Sequence, residues 1–285
     1  MAITLFKMYN LIQMRKINLI AFAALLAITA ISCKKDETAP AATVTKEITV
    51  LLAAANENPQ PSGRAETGTA SIKIFSDKSV TVDITISGLA SGDNITAGHF
   101  HAGDPVTNGG VVVDLNPTVM GNMIKAKLTN VRSSFIDTLM NGTADIYLNV
   151  HSSQVPSGII RGQVFNGVTF ASSVALSGMN EVPAVNTTAT GMALLRITAD
   201  NKLYSKVTVT NVEAGDALTA GHIHTGAAGT NGGVLLGICA SAADFGVTKI
   251  YTPTAAILTA IKTDALYVNV HSTNRPSGIV RGQIR

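Results

Sequence analysis

All six histidines of this 285-residue chain fall into two copies of one pattern. His99 and His101 flank Phe100 in Ala97-Gly98-His99-Phe100-His101-Ala102-Gly103, and His222 and His224 flank Ile223 in Ala220-Gly221-His222-Ile223-His224-Thr225-Gly226. A third histidine follows each pair, His151 in Tyr147-Leu148-Asn149-Val150-His151-Ser152 and His271 in Tyr267-Val268-Asn269-Val270-His271-Ser272. On a strand, residues i and i+2 project from one face, roughly 6–7 Å apart along the chain. Phe100 and Ile223 then point into the core. If the third histidine lies on a neighbouring strand, three imidazole nitrogens converge in each copy. Three histidines suffice for Zn²⁺ with an open position, or for copper. The competing reading is structural, because histidines beside glycines also hold loops by bonding backbone carbonyls. The separation of the ring nitrogens discriminates between the two.

Other residues that could do chemistry are fewer. Arg161 and Arg281 precede Gly-Gln near the end of each copy, and Glu57 and Glu181 are the acids near a shared motif. We expect the ion pairs Arg161–Glu57 and Arg281–Glu181 as structural closures. No serine or cysteine triad recurs, and no carboxylate recurs in sequence beside the histidines, so acid–base or nucleophilic catalysis is not expected. Asn108-Gly109-Gly110 reads as a turn, since no helix follows to cradle a phosphate. Cys239 aligns with Asn116 at the histidine offset and reads as inert.

These residues need a scaffold, and the scaffold is duplicated. The histidine pairs are offset by 123 (222 − 99), the third histidines by 120 (271 − 151), and Asn56-Glu57-Asn58-Pro59 matches Asn180-Glu181-Val182-Pro183 at 124 (181 − 57). A period this long means two domains, placed at 46–166 and 168–285, rather than a solenoid. Alternating apolar positions such as Val80, Val82, Ile84 and Ile86 mark short strands. In the first copy these run over 47–54, 68–75, 80–89, 95–101, 111–115, 123–131, 144–151 and 159–164. A short helix over 133–140 has Ser133 or Ser134 as its cap, and 254–262 is its counterpart. The fold class is all-β: two tandem antiparallel β-sandwich domains of Greek-key type, immunoglobulin- or superoxide-dismutase-like, each with one short helix. The link near Asn166-Gly167 is short and suggests close packing of the two.

Charge excludes one class of partner. The 21 Lys and Arg against 18 Asp and Glu give +3, but Lys7, Arg15 and Lys16 lie in the first 32 residues. The remainder is balanced, so nothing draws it to nucleic acid. Residues 1–32 read as a signal peptide, with positive Arg15-Lys16 before an apolar run from Ile17 to Ile31, and Met14 opens a better signal than Met1. Ala30-Ile31-Ser32-Cys33 resembles the bacterial lipobox, which implies lipidation of Cys33 and a tether over 33–45. Localisation at the cell envelope, on the outer membrane through a lipid anchor, follows from that resemblance.

Gly-His-x-His-x-Gly, Asn-Gly-Gly, Tyr-x-Asn-Val-His-Ser and Pro-Ser-Gly-Ile-x-Arg-Gly-Gln occur in this order in both copies, the last with Val280 in place of the second Ile of 159–160. Together they resemble the CHRD domain, named for repeats in chordin and found also in bacterial secreted proteins. The resemblance implies an extracellular β-rich module without an established reaction. Copper/zinc superoxide dismutase is similar only as a β-sandwich with a His-x-His pair. It uses more histidines and an aspartate on zinc, whereas Asp104 has Ala227 or Ala228 in its place. The expected function is thus a lipid-anchored binding or adhesion module without catalysis, with an extracellular protein or glycan as partner. The alternative is a metal-binding protein with one zinc or copper site per domain, on His99, His101 and His151 and on His222, His224 and His271.

Overall fold

A computed structural model describes residues 41–285. The signal peptide, Cys33 and most of the expected tether lie outside the described residues.

Ten regular elements build the first domain: β1 (Val44–Ala53), β2 (Thr67–Phe75), β3 (Val80–Ser87), β4 (Ile95–Ala102), β5 (Val111–Asp114), β6 (Thr118–Met120), β7 (Met123–Leu128), α1 (Ser133–Asn141), β8 (Ile146–Ser152) and β9 (Ile160–Gln163). The strands form one antiparallel sheet in the order β5-β4-β8-β9-β1-β2-β3-β7-β6. This sheet curls until its two arms face each other. Gly98 on β4 opposes the side chains of Leu115 and of Ile124 on β7, although β4 and β7 are not hydrogen-bonded neighbours. The sandwich expected from the strand pattern is therefore one sheet folded over a single core. Val80, Val82, Ile84 and Ile86 point into it, together with Phe100, Leu148 and Val150 from the opposite arm. Strand β1 starts inside the stretch read as tether, and β6 is an addition to the expected strands.

The second domain repeats the plan with β10 (Val168–Ser177), β11 (Thr190–Thr198), β12 (Leu203–Thr210), β13 (Leu218–Thr225), β14 (Val234–Cys239), β15 (Lys249–Tyr251), α2 (Ala255–Thr263), β16 (Leu266–Ser272) and β17 (Val280–Gln283). Its sheet order is β14-β13-β16-β17-β10-β11-β12-β15.

Each domain has its helix, and their caps differ. Thr254 caps α2 by accepting a hydrogen bond from the Ile257 amide. Helix α1 has Arg132 at its N-cap without a side-chain bond, so neither Ser133 nor Ser134 caps it. Burial of Phe135, Ile136 and Leu139 holds α1 in place instead, and Lys46 Nζ donates to the Leu139 and Met140 carbonyls at its electronegative end. Among the described residues no helix is long and apolar enough to cross a membrane.

The domains pack closely. Arg196 on β11 is fully buried and donates to the Glu57 carbonyl and to Asn58 Oδ1 of the first domain, at 3.0 and 3.1 Å. Thr248 Oγ1 donates to Asp104 Oδ2 at 2.9 Å.

Candidate metal centre

Strand register assembles the histidines. Along the β4–β8 pair, Phe100 faces Leu148, and both are fully buried in the core. The flanking pairs His99–Asn149 and His101–Tyr147 must then lie on the outer face, because side chains alternate across a strand. A register shift between Ile95 and Ala97 sets His151 opposite Ala97, beside His99. Strands β13 and β16 repeat this with His222–Asn269, His224–Tyr267 and Ala220–His271.

All six predicted ligands are thereby brought into two groups. In each, one ligating nitrogen per ring lies within 4.8 Å of the others. Ring centroids of His99 and His151 are 4.8 Å apart, and those of His222 and His271 are 4.9 Å apart. Tetrahedral Zn²⁺ with bonds of about 2.1 Å holds its nitrogens roughly 3.4 Å apart, so small side-chain rotations close each set.

Hydrogen bonds orient the rings from behind. His101 Nδ1 lies 3.0 Å from the Gly109 carbonyl and His151 Nδ1 lies 2.9 Å from the Pro156 carbonyl. A carbonyl only accepts, so each Nδ1 carries the proton and each Nε2 presents a lone pair. His224 and His271 bond the Gly232 and Pro276 carbonyls in the same way, at 3.1 and 3.0 Å. His99 Nδ1, His101 Nε2, His151 Nε2 and His224 Nε2 are buried with no hydrogen-bond partner. In the second set His222 Nδ1 and His271 Nε2 share a hydrogen bond of 3.0 Å, which an ion would replace. Burial lowers the pKa of His101, His151, His222 and His271, favouring the neutral, ligating imidazole.

The motif glycines serve this geometry. A Cβ at Gly109 would overlap the Ala102 carbonyl oxygen, so only glycine lets the Asn-Gly-Gly turn bring its carbonyl to His101. Gly158 has φ +129°, and a Cβ there would meet the side chains of Asn149 and Glu57 at 2.7–2.9 Å.

The expected ion pairs do not form. Arg161 donates to Asn108 Oδ1 at 2.8 Å and to the Asp104 and Thr107 carbonyls at 2.6 and 2.9 Å, with its guanidinium 3.4 Å above the Tyr147 ring. Arg281 does the same with Asn231 Oδ1, the Ala227 and Thr230 carbonyls and the Tyr267 ring. A planar fork of donors is satisfied by this cage of oxygens and shapes the loop that carries Gly109 or Gly232. Glu57 and Glu181 each accept from an asparagine amide instead, Asn149 Nδ2 at 2.7 Å and Asn269 Nδ2 at 2.7 Å. Burial pushes Glu57 up to about 8 and Glu181 up to about 7.

Both glutamates therefore sit in clefts beside the histidines, a role that sequence spacing did not reveal. Their recurrence after an asparagine, Asn56-Glu57 and Asn180-Glu181, was the available signal. Asn149 and Asn269, between the third histidine and the tyrosine in each motif, are also buried members of the site. Cys239 is buried, and its thiol is pushed up to about 12, in keeping with an inert residue.

Neither curated proteins nor solved structures yield a match. The CHRD domain matches twice, over residues 48–164 and 172–284, and each match encloses one histidine set with its glutamate, asparagine and arginine. With two matches that together span most of its length, the chain belongs to the CHRD domain family and carries the domain in tandem.

Proposed function

We propose that each CHRD domain binds one zinc or copper ion through its three histidines and that the chain presents both sites at the cell envelope. The observation that carries this reading is the set of inward-facing nitrogens. A structural cluster would use both nitrogens of each ring. Here loop carbonyls engage Nδ1 of His101 and His151, while the first set's nitrogens that face one another are buried without a partner; in the second set His224 Nε2 is likewise unpartnered, and His222 and His271 share the one hydrogen bond. An all-imidazole donor set without thiolate or carboxylate suits zinc or copper better than calcium or magnesium. Three ligands leave a position open for a further group.

Elemental analysis of the protein after zinc or copper loading tests the reading. Two ions per chain are expected, one for each histidine set. His101→Ala or His224→Ala should each remove one. A chain that stays metal-free, or binding that survives both substitutions together, refutes it. The envelope location rests on the leader and on Cys33 at the lipobox-like boundary, and the binding role expected of tandem CHRD domains takes the form of metal capture.

A further inference from the structure

Beside each histidine set lies a cleft that metal binding alone leaves without a task. The first, about 300 Å³, is lined by Glu57, Tyr147 and Asn149 as well as His101 and His151. The second, about 450 Å³, is lined by Glu181, Tyr267 and Asn269 as well as His224. The duplication has kept the cavity together with the histidines.

The linings agree on the chemistry of an occupant. Histidines shared by each set and its cleft place an ion bound there beside the cleft, and the open position of such an ion takes a lone-pair donor. Buried cations stand behind the first cleft, with Arg161 over Tyr147 and Arg196 on the Glu57 carbonyl. Glu57 is 5 % exposed, and its carboxyl accepts one hydrogen bond, from a neutral amide. A carboxylate so poorly solvated is costly, whereas a carboxylic acid offers an O–H to the cleft. Stacking on Tyr147 is unavailable, because its ring is covered by Arg161 at 3.4 Å and stacked on His101 at 5.0 Å. The tyrosine thus has no ring face free for a sugar or aromatic ligand.

We propose that each cleft is a subsite for a small carboxylate-type oxyanion, one oxygen on the histidine-bound ion and the other accepting a hydrogen bond from Glu57 or Glu181. This rests on the metal reading above. Binding is non-covalent, and the clefts, about 300 and 450 Å³, have room for an oxyanion larger than acetate.

Cobalt(II) loaded into the full chain, with sodium acetate as the probe, provides the test, because the visible bands of Co²⁺ respond to a change of ligand. Acetate should shift those bands saturably. Glu57→Ala with Glu181→Ala should weaken acetate binding by more than about tenfold, the scale of one hydrogen bond to a charged group, with the cobalt content unchanged. Glu57→Gln with Glu181→Gln, which keeps a donor, should retain most of the affinity. Cobalt bands that acetate does not move, or an unaltered affinity in the alanine variant, would overturn the subsite and leave the metal site standing. Tighter acetate binding in the glutamine variant would also overturn it, by showing the glutamates to be ionised. Absence of any cobalt spectrum would instead sink the metal reading and the subsite with it.

Discussion

The Arg196 guanidinium of the second domain donates to the Glu57 carbonyl of the first at 3.0 Å, with no exposure of the arginine to solvent. One side chain thereby ties the domain interface to the turn that carries a wall of the first cleft. The same group also donates to Ser172 and Leu195 carbonyls within its own domain. Burial pulls Arg196 down to about 10, which still leaves it charged at neutral pH.

Arg196→Met should therefore cost roughly 1–3 kcal/mol or more, the penalty for leaving a buried acceptor such as the Glu57 carbonyl without its donor. The same substitution should expose the link at Phe165–Gly167 to protease. Urea denaturation followed at both domains, with timed proteolysis, measures these effects. An unchanged midpoint would show that the interface does not depend on this latch.

Zinc should raise the unfolding temperature of the chain, because an ion that binds only the folded state stabilises it by about 2.7 kcal/mol at a hundredfold excess over Kd. The increase should vanish with chelator and halve in His101→Ala. Calorimetry with and without zinc checks this, and a shift that persists in the double variant His101→Ala/His224→Ala would assign it elsewhere.

The buried glutamates predict an alkaline loss of stability. Glu57 is raised from 4.5 to about 8 in the folded state, so folding favours its protonated form. Its contribution is complete below pH 4.5 and is lost as pH rises toward 8. Glu181 acts in the same direction up to about 7. Histidines with lowered values oppose this below their ordinary value of 6.5, where stability falls as pH drops toward and through their folded values. Glu57→Gln with Glu181→Gln should accordingly flatten the stability profile between about pH 6.5 and 8, above the histidine range and below the raised Glu57 value. Equal slopes in the metal-free wild type and variant would show that neither carboxyl is raised.

Gly109→Ala should cost roughly 3 kcal/mol or more, since the added methyl would overlap the Ala102 carbonyl oxygen. At Gly110, where an added Cβ meets nothing within 4 Å, alanine should be much milder. Denaturation midpoints for the pair separate a steric requirement of the turn from a general dislike of substitution there.

Cys33→Ala should release the protein from membranes if the lipobox-like boundary is used. Membrane fractionation reads the result, and continued retention of the variant would exclude Cys33 as the anchor.

Local pattern alone specified much of this protein. Alternation at Val80, Val82, Ile84 and Ile86 identifies a strand and its buried face, because the period of two follows from backbone geometry. The spacing of His99 and His101 places both rings on one face for the same reason. The repeated order of motifs announces two similar domains. Tertiary structure decided which distant side chains meet. Glu57 reaches Asn149 across 92 residues, while Arg161, the expected partner of that glutamate, is satisfied by loop carbonyls. His151 comes beside His99 through a register shift at Ile95–Ala97, and Arg196 locks the domains through a contact 139 residues away in the chain. Such pairings depend on how strands align and curl over a shared core, and the identity of one residue carries no record of which remote backbone oxygen will lie next to it.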